Sequence, residues 1–536
     1  MGTHMWSEQH GRLPGGPGGE SFVGREAELG RLDAALAMPG AVPVVLIVGA
    51  GGVGKTSLAL HWAHRNAGLF PDGQLYVDLR GFDPVAPPVT AQEAVRGFLL
   101  SLGADPRTIP ASPDAQVALY RSMMSGRRML VLIDDAASPG HVEPLLPGTA
   151  SCPVIVTSRR AFTSSRELPP LEGPPSEGPP SEGLALEVLP LEGLSEQEAS
   201  RLLVRTVGMS RAHVVRDLVP HCAGLPLTLT LVAARVAARP HLPLDALTSE
   251  LRAAATRQPT RDLTPTETGP SEITPSEIGP SLRVAFDASC LTLADDAKRL
   301  FLALGPAPVP DVSLAAAASL AAVPAARTRT LMRLLEAAHL ATQHRPGRYR
   351  MHDLARRYAL QHADPTSSAT ALRRLTDHYL HTAHRGELTL APLAQPISMN
   401  PPARGVDLTP LTTDDAALEW FDAEHDCLLT LLRWTADHDR NEDTWRIAWS
   451  MDEMLRRRGH VHERVQVWQA AVFAAERLGA AGVQCLAYRR LGQAHAQAGD
   501  HAAALPALRR ALALDDHLRE RRRPARSTAV TGHLVG

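Results

Sequence analysis

The chain has 536 residues, 44% of them hydrophobic and 4% aromatic, and a formal net charge of −2. That length allows about three to five domains, and the apolar fraction is ample to fill their cores. The near-zero charge excludes a bulk basic field that would make nucleic acid an obligatory partner.

Met1-Gly2-Thr3-His4-Met5 reads as the remnant of an expression tag, and the Gly/Pro-rich stretch to residue 20 as a linker. A natural segment upstream is therefore expected. Ser21-Phe22-Val23-Gly24-Arg25-Glu26 then precedes a short amphipathic helix with Leu29, Leu32 and Leu36 on one face. The apolar run Val44 to Val48 predicts a buried parallel strand. It leads into Gly49-Ala50-Gly51-Gly52-Val53-Gly54-Lys55-Thr56, a full G-x-x-x-x-G-K-[ST] match. A helical pattern begins at Ser57. The glycines let backbone N–H groups curl around a phosphate chain where a Cβ would clash. The helix that follows turns its positive end to the same anion. Gly51, Gly52, Val53, Gly54, Lys55, Thr56 and Ser57 are thus candidate nucleotide-binding residues. Lys55 supplies a cation for the β- and γ-phosphates, and Thr56 a hydroxyl for Mg²⁺. Lys55 and Lys298 are the only lysines in the chain, so Lys55 is not incidental surface charge.

Three more buried strands are expected at 73–79, 128–135 and 153–159, with helical segments between them. This pattern predicts an α/β unit with a mostly parallel sheet. Ligands of such sheets sit beyond the carboxyl ends of the strands. Lys55, Asp134, Asp135 and Arg159 all follow strand ends and form the candidate catalytic set. Asp134 would hold Mg²⁺ with Thr56. Asp135 would orient or deprotonate the attacking water, and Arg159 would sense the γ-phosphate.

The repeated Gly-Pro-Pro-Ser-Glu units at 173–183 read as a surface insert. Leu186 to Leu191 completes the sheet. Ser195 and Glu198 form a capping box that opens a small helical domain. A second low-complexity stretch runs from 264 to 280. Helices are then expected at 282–288, 295–304, 313–320 and 326–338. They are followed by a hairpin around His344-Arg345-Pro346-Gly347, which together make a winged-helix arrangement closed by Met351-His352-Asp353. After a Pro-rich connection near 390–412 the chain is helical. Tyr488, Leu491, Gly492, His495, Ala504, Leu508 and Ala511 stand at tetratricopeptide-repeat positions, with a degenerate unit before them. The five cysteines form no C-x-x-C pair and read as reduced core thiols of a cytoplasmic protein. No apolar run is long enough for a membrane span, so no membrane partner is expected.

Phe22-Val23-Gly24-Arg25, the phosphate loop, Leu132-Ile133-Asp134-Asp135, Thr157-Ser158-Arg159, Gly224-Leu225-Pro226-Leu227 and Met351-His352-Asp353 occur in this order. The series resembles the NB-ARC branch of the STAND signal-transduction NTPases. Phe70 to Tyr76 and Trp420-Phe421-Asp422-Ala423-Glu424 look more specifically like the large actinobacterial antibiotic-pathway regulators, without their N-terminal DNA-binding effector. The resemblance implies that Phe22, Val23 and Arg25 belong to the nucleotide site, Val23 and Arg25 on its adenine side. It implies that Pro226 packs on the base and that His352 reaches the β-phosphate of ADP.

The fold class expected is multidomain α/β plus α. The boundaries are a remnant and linker at 1–20, a P-loop domain at 21–192 and an ARC1-like helical domain at 193–262. A linker at 263–281, a winged helix at 282–362, and linker and helices at 363–414 follow. A tetratricopeptide-like region at 415–518 and a disordered tail at 519–536 complete the chain. The function implied is a switch that is closed with ADP and activated by exchange to ATP and by self-association. Mg²⁺ is the cofactor, and hydrolysis is at most a slow reset. The output expected is regulation of transcription or secondary metabolism. A protein or small-molecule signal would act at the C-terminal helices, and DNA would be reached only through a missing or partner effector. Two other readings are a DNA-binding regulator using Arg345, Arg348 and Arg350 of the wing, and a passive scaffold.

Overall fold

A computed structural model describes residues 22–36, 41–162, 184–207, 218–238, 248–249 and 278–522. The insert at 173–183, most of the stretch at 264–280 and the tail from residue 523 lie outside them. The described chain divides into two compact units. The first comprises residues up to Leu372 except Asp105–Ala111 and Pro308–Pro310, and the second comprises those two segments and everything from Arg373.

The first unit is built on five parallel strands. They are β1 (Val42–Val48), β2 (Gln74–Asp78), β3 (Leu130–Ala136), β4 (Val154–Ser158) and β5 (Leu184–Pro190). Their order is β2-β3-β4-β1-β5. The central strands are apolar on both faces, as a sheet covered on both sides requires. The register fixes the site: Val48 of β1 and Ala136 of β3 both pair with Ser158 of β4. Asp78 of β2 pairs with Asp134. The loop after β1 and the ends of β3 and β4 are therefore brought to one edge. Leu29, Leu32, Ile47, Leu58, Trp62, Leu132 and Ile155 fill the core on one face.

Helices Glu196–Val207 and Pro226–Ala238 follow, then Pro280–Cys290, Asp295–Leu304, Leu314–Ala321 and Ala325–Ala337. Strands β7 (Thr342–Arg345) and β8 (Arg348–Arg350) turn at Gly347, whose φ of 74° suits glycine. A two-residue strand, β6 (Val312–Ser313), pairs antiparallel with β8 and makes the sheet three-stranded. Two residues carry too little alternation to be read as a strand in advance. Helix Asp353–His362 closes this part of the unit.

The second unit is helical: the rest of Pro365–Leu390, then Asp414–Asp437, Asn441–Ser450, Asp452–Arg458, Val461–Leu478, Ala481–Gln497 and His501–Arg522. The last two pack closely at Gly492, where a Cβ would come within 2.6 Å of Leu508 Cγ. The final helix runs through Arg522, so the tail boundary placed at 519 falls inside a helix. Cys152, Cys222, Cys290 and Cys427 are buried free thiols, whereas Cys485 is half-buried.

Candidate nucleotide site

The phosphate loop runs from the end of β1 to helix Lys55–Arg65. Gly52 and Gly54 take φ of 78° and 98°, conformations that an L side chain resists. Two other segments press on the loop. A Cβ on Gly51 would lie 3.0 Å from Leu354 Cδ1, and one on Gly52 would lie 3.1 Å from Leu227 Cβ. The Leu227 amide also donates to Gly52 O at 3.4 Å. The loop thus meets the first turns of helices Pro226–Ala238 and Asp353–His362. Lys55 is 8% exposed and donates to Gly49 O (2.9 Å) and Ala50 O (3.0 Å). Burial, then the nearby Arg159 charge, lowers its pKa to about 8.

Asp134 is the hub of the carboxylate side. Its Oδ1 accepts from Thr56 Oγ1 (2.8 Å) and Thr157 Oγ1 (2.5 Å), and its Oδ2 from the Tyr76 hydroxyl (3.2 Å). Burial, then the Asp78 carboxylate, pushes Asp134 above the usual carboxylate range against those hydrogen bonds. An ion would offset this penalty. The Thr56 oxygen, from the first turn of helix Lys55–Arg65, and the adjacent Asp134 oxygens of β3 are hard donors, so the pair fits Mg²⁺. Asp135 sits at φ 53°. Its amide donates to Thr157 Oγ1 (3.0 Å), and its Oδ2 accepts from the Phe82 amide (3.1 Å). Burial and Asp78 raise its pKa also.

Arg159 does not stand alone at the end of β4. Its Nε is 4.0 Å from Asp135 Oδ1, its guanidinium lies 4.9 Å from the Phe82 ring centre, and it is ion-paired with Asp353. His352 is the N-cap of helix Asp353–His362, its Nδ1 accepting from the Leu354 amide at 3.1 Å. Surrounding protein, then the charges of Arg159 and Lys55, pushes the imidazole down to about 4. The side chain keeps 43% of its surface open, and the ring is neutral and close to both cations.

A cavity of about 640 Å³ opens beside the loop, within the range of small-ligand sites. Phe22, Val23, Arg25, Val53, Gly54 and Ser57 line one side, and Pro226 and Thr230 another. Phe22 stacks flat on His61 with centroids 4.0 Å apart. Arg25 is 5% exposed and donates to Val53 O (3.4 Å) and Glu192 O (2.5 Å). Its amide donates to Glu198 Oε1 (2.8 Å), while the other Glu198 oxygen caps Ser195 (2.9 Å). The capping-box glutamate therefore also fixes the Phe22–Arg25 stretch.

The structure brings Lys55, Thr56, Asp134, Asp135, Arg159 and His352 to the end of the loop. It places Phe22, Val23, Arg25, Val53, Ser57 and Pro226 around the cavity. Tyr76, Thr157, Leu227 and Asp353 stand within the quoted motifs but were given no role of their own, and Leu354 and the cavity-lining His339 were not singled out. Of the arginines expected on a wing, Arg348 is paired with Asp311, and Arg350 donates to Asp78 Oδ2 at 2.9 Å.

Residues 21–147 match the AAA ATPase domain family. The regulatory protein AfsR of Streptomyces coelicolor is 33% identical over 432 residues, covering 78% of this chain and 40% of that protein. The AfsR protein of Streptomyces griseus is 32% identical over 505 residues, covering 92% and 48%. The chain thus spans less than half the length of either relative. Among solved structures, a STAND protein with a tetratricopeptide repeat sensor from Pyrococcus horikoshii aligns over 96% of this chain and 79% of its own, at 14% identity and a TM-score of 0.43. The sheet and its loop define a P-loop NTPase with a helical C-terminal region. By its sequence matches the chain carries an AAA ATPase domain at residues 21–147 and is similar to the AfsR proteins over most of its own length. No described helix is long and apolar enough to cross a membrane.

Proposed function

We propose that the first unit is an ADP/ATP switch in which the phosphate loop is read by two flanking segments. The observation that carries this reading is the packing of Leu354 and Leu227 against the Gly51 and Gly52 backbone, with Arg159 tied to Asp353. In the closed form ADP lies in the loop, its base in the cavity beside Val23, Arg25 and Pro226. Lys55 turns from the loop carbonyls to the phosphates. The neutral His352 imidazole, with Nδ1 engaged by the Leu354 amide, uses its other nitrogen on the β-phosphate. Thr56 and Asp134 would hold Mg²⁺, which when bound would supply charge compensation to the phosphates. A γ-phosphate draws Arg159 toward itself and so competes with Asp353. Losing that ion pair loosens helix Asp353–His362 and frees a surface for self-association. Hydrolysis, with Asp135 positioning water, resets the switch slowly.

In this reading residues 282–362 form a winged helix serving nucleotide recognition. The carboxylate partners of Arg348 and Arg350 weigh against direct DNA contact by the wing. The helices after 415 are tetratricopeptide-like and receive the signal, and the output is control of transcription or secondary metabolism. Size-exclusion chromatography with light scattering on the full chain tests the switch. ADP should give a compact monomer and a slowly hydrolysed ATP analogue a larger species. One hydrodynamic size with both nucleotides refutes it.

A further inference from the structure

In the second unit, three side chains from two helices converge on one point. His425 lies on helix Asp414–Asp437, His460 precedes helix Val461–Leu478, and Glu463 is in that helix's first turn. His425 Nε2 is 2.9 Å from Glu463 Oε2, and His460 Nδ1 is 3.3 Å from the same oxygen. The two imidazole planes are tilted by 30° with centroids 5.1 Å apart. The histidines are 4% and 1% exposed. Nearby buried carboxylates are answered differently: Asp422 faces Arg458, and Asp452 faces Arg464 and the Trp468 indole. Glu463 instead faces two imidazoles.

We propose that His425 Nε2, His460 Nδ1 and Glu463 Oε2 form a three-ligand site for a divalent cation of the zinc type. Tetrahedral coordination with bonds of about 2.0–2.1 Å sets ligand atoms roughly 3.3 Å apart. The two histidine–glutamate separations lie within a few tenths of an ångström of that value, and all three ligand atoms lie within 4.8 Å of one another. Two imidazoles and one carboxylate suit Zn²⁺ and disfavour Mg²⁺ and Ca²⁺, which take oxygen donors. The His460-x-x-Glu463 spacing puts both ligands on one face of a helical turn, and His425 reaches them from the other helix. The ion therefore clamps Asp414–Asp437 to Val461–Leu478. Three protein ligands leave a fourth position for water or an external donor, so the site is exchangeable.

The competing arrangement is a metal-free His–Glu–His hydrogen-bonded triad, and one experiment separates the two. The full chain, stripped with chelator, is titrated with Zn²⁺ against a competing chelator, and in parallel with Co²⁺ followed by visible absorption. The proposal expects one ion per chain with a Kd below about 1 µM, a tetrahedral Co²⁺ spectrum, and a higher unfolding midpoint with Zn²⁺. Glu463→Gln and His425→Gln should each weaken binding tenfold or more; the first keeps the side chain's shape, and the Co²⁺ spectrum needs no variant. Uptake of less than one ion at about 10 µM free Zn²⁺, no tetrahedral spectrum, or a loss under tenfold in either variant overturns the site.

Discussion

Asp353→Asn tests the link between the phosphate loop and helix Asp353–His362 while preserving side-chain shape. The Asp353 side chain is 23% exposed and its Arg159 partner 11%, so the pair is neither solvent-screened nor fully desolvated. Two unit charges at contact distance attract by about 4 kcal/mol at an effective dielectric near 20. Desolvation offsets part of this, and Arg159 keeps Asp135 at 4.0 Å. A net loss of about 2 kcal/mol follows, typical of a charge-assisted hydrogen bond. That corresponds to roughly a thirtyfold change in an equilibrium constant. The assay is release of fluorescently labelled ADP in stopped flow, for wild type, Asp353→Asn, Arg159→Gln and the double variant. The ion pair as a latch predicts faster release in each single variant, by about thirtyfold for Asp353→Asn, and a coupling energy of about 1 kcal/mol or more. Unchanged release with a coupling near zero would falsify the reasoning.

Two further outcomes are expected. Gly52→Ala adds a methyl group at φ 78° facing Leu227; backbone strain of about 1–3 kcal/mol predicts a loss of ADP affinity of about fivefold to about 150-fold by calorimetry, and unchanged affinity would show that ADP binding does not depend on this backbone conformation. Glu387 is 3% exposed, and burial followed by the Asp452 charge lifts its pKa from 4.5 to about 8. Its folded pKa is raised, so the folded state holds a proton that the unfolded chain has released. Stability of the second unit should therefore fall as pH rises from 4.5 to about 8, with the full penalty above that. Glu387→Gln should raise the unfolding midpoint at alkaline pH and leave it nearly unchanged at acid pH. Equal midpoints for the two proteins at both ends would contradict the assigned shift.

The core of the site was legible because its chemistry is local. The glycines, Lys55 and Thr56 lie in one run, and Asp134, Asp135 and Arg159 each end a recognisable strand. Parallel register then brings those ends together without further information. What was not legible depends on contacts distant in sequence. Leu227 and Leu354 look like ordinary apolar residues of a first helical turn, and nothing local says that they lie on Gly52 and Gly51. Tyr76 and Thr157 read as strand residues, and only the pairing of β2, β3 and β4 turns their hydroxyls to Asp134 and Asp135. His425 and His460 are 35 positions apart and neither has a local signal, so the cluster with Glu463 emerges only from helix packing. Phe22 lines the cavity, but its flat stack on His61 had no sequence signal.

The measurement closest to the central claim compares ADP and a slowly hydrolysed ATP analogue on His352→Asn, a variant that keeps an acceptor for the helix cap. If the imidazole reads the diphosphate of the closed state, ADP affinity falls about tenfold or more while the analogue changes by less than about threefold. An equal change for both nucleotides, or none, means that His352 is only the cap of its helix and does not discriminate between the two states.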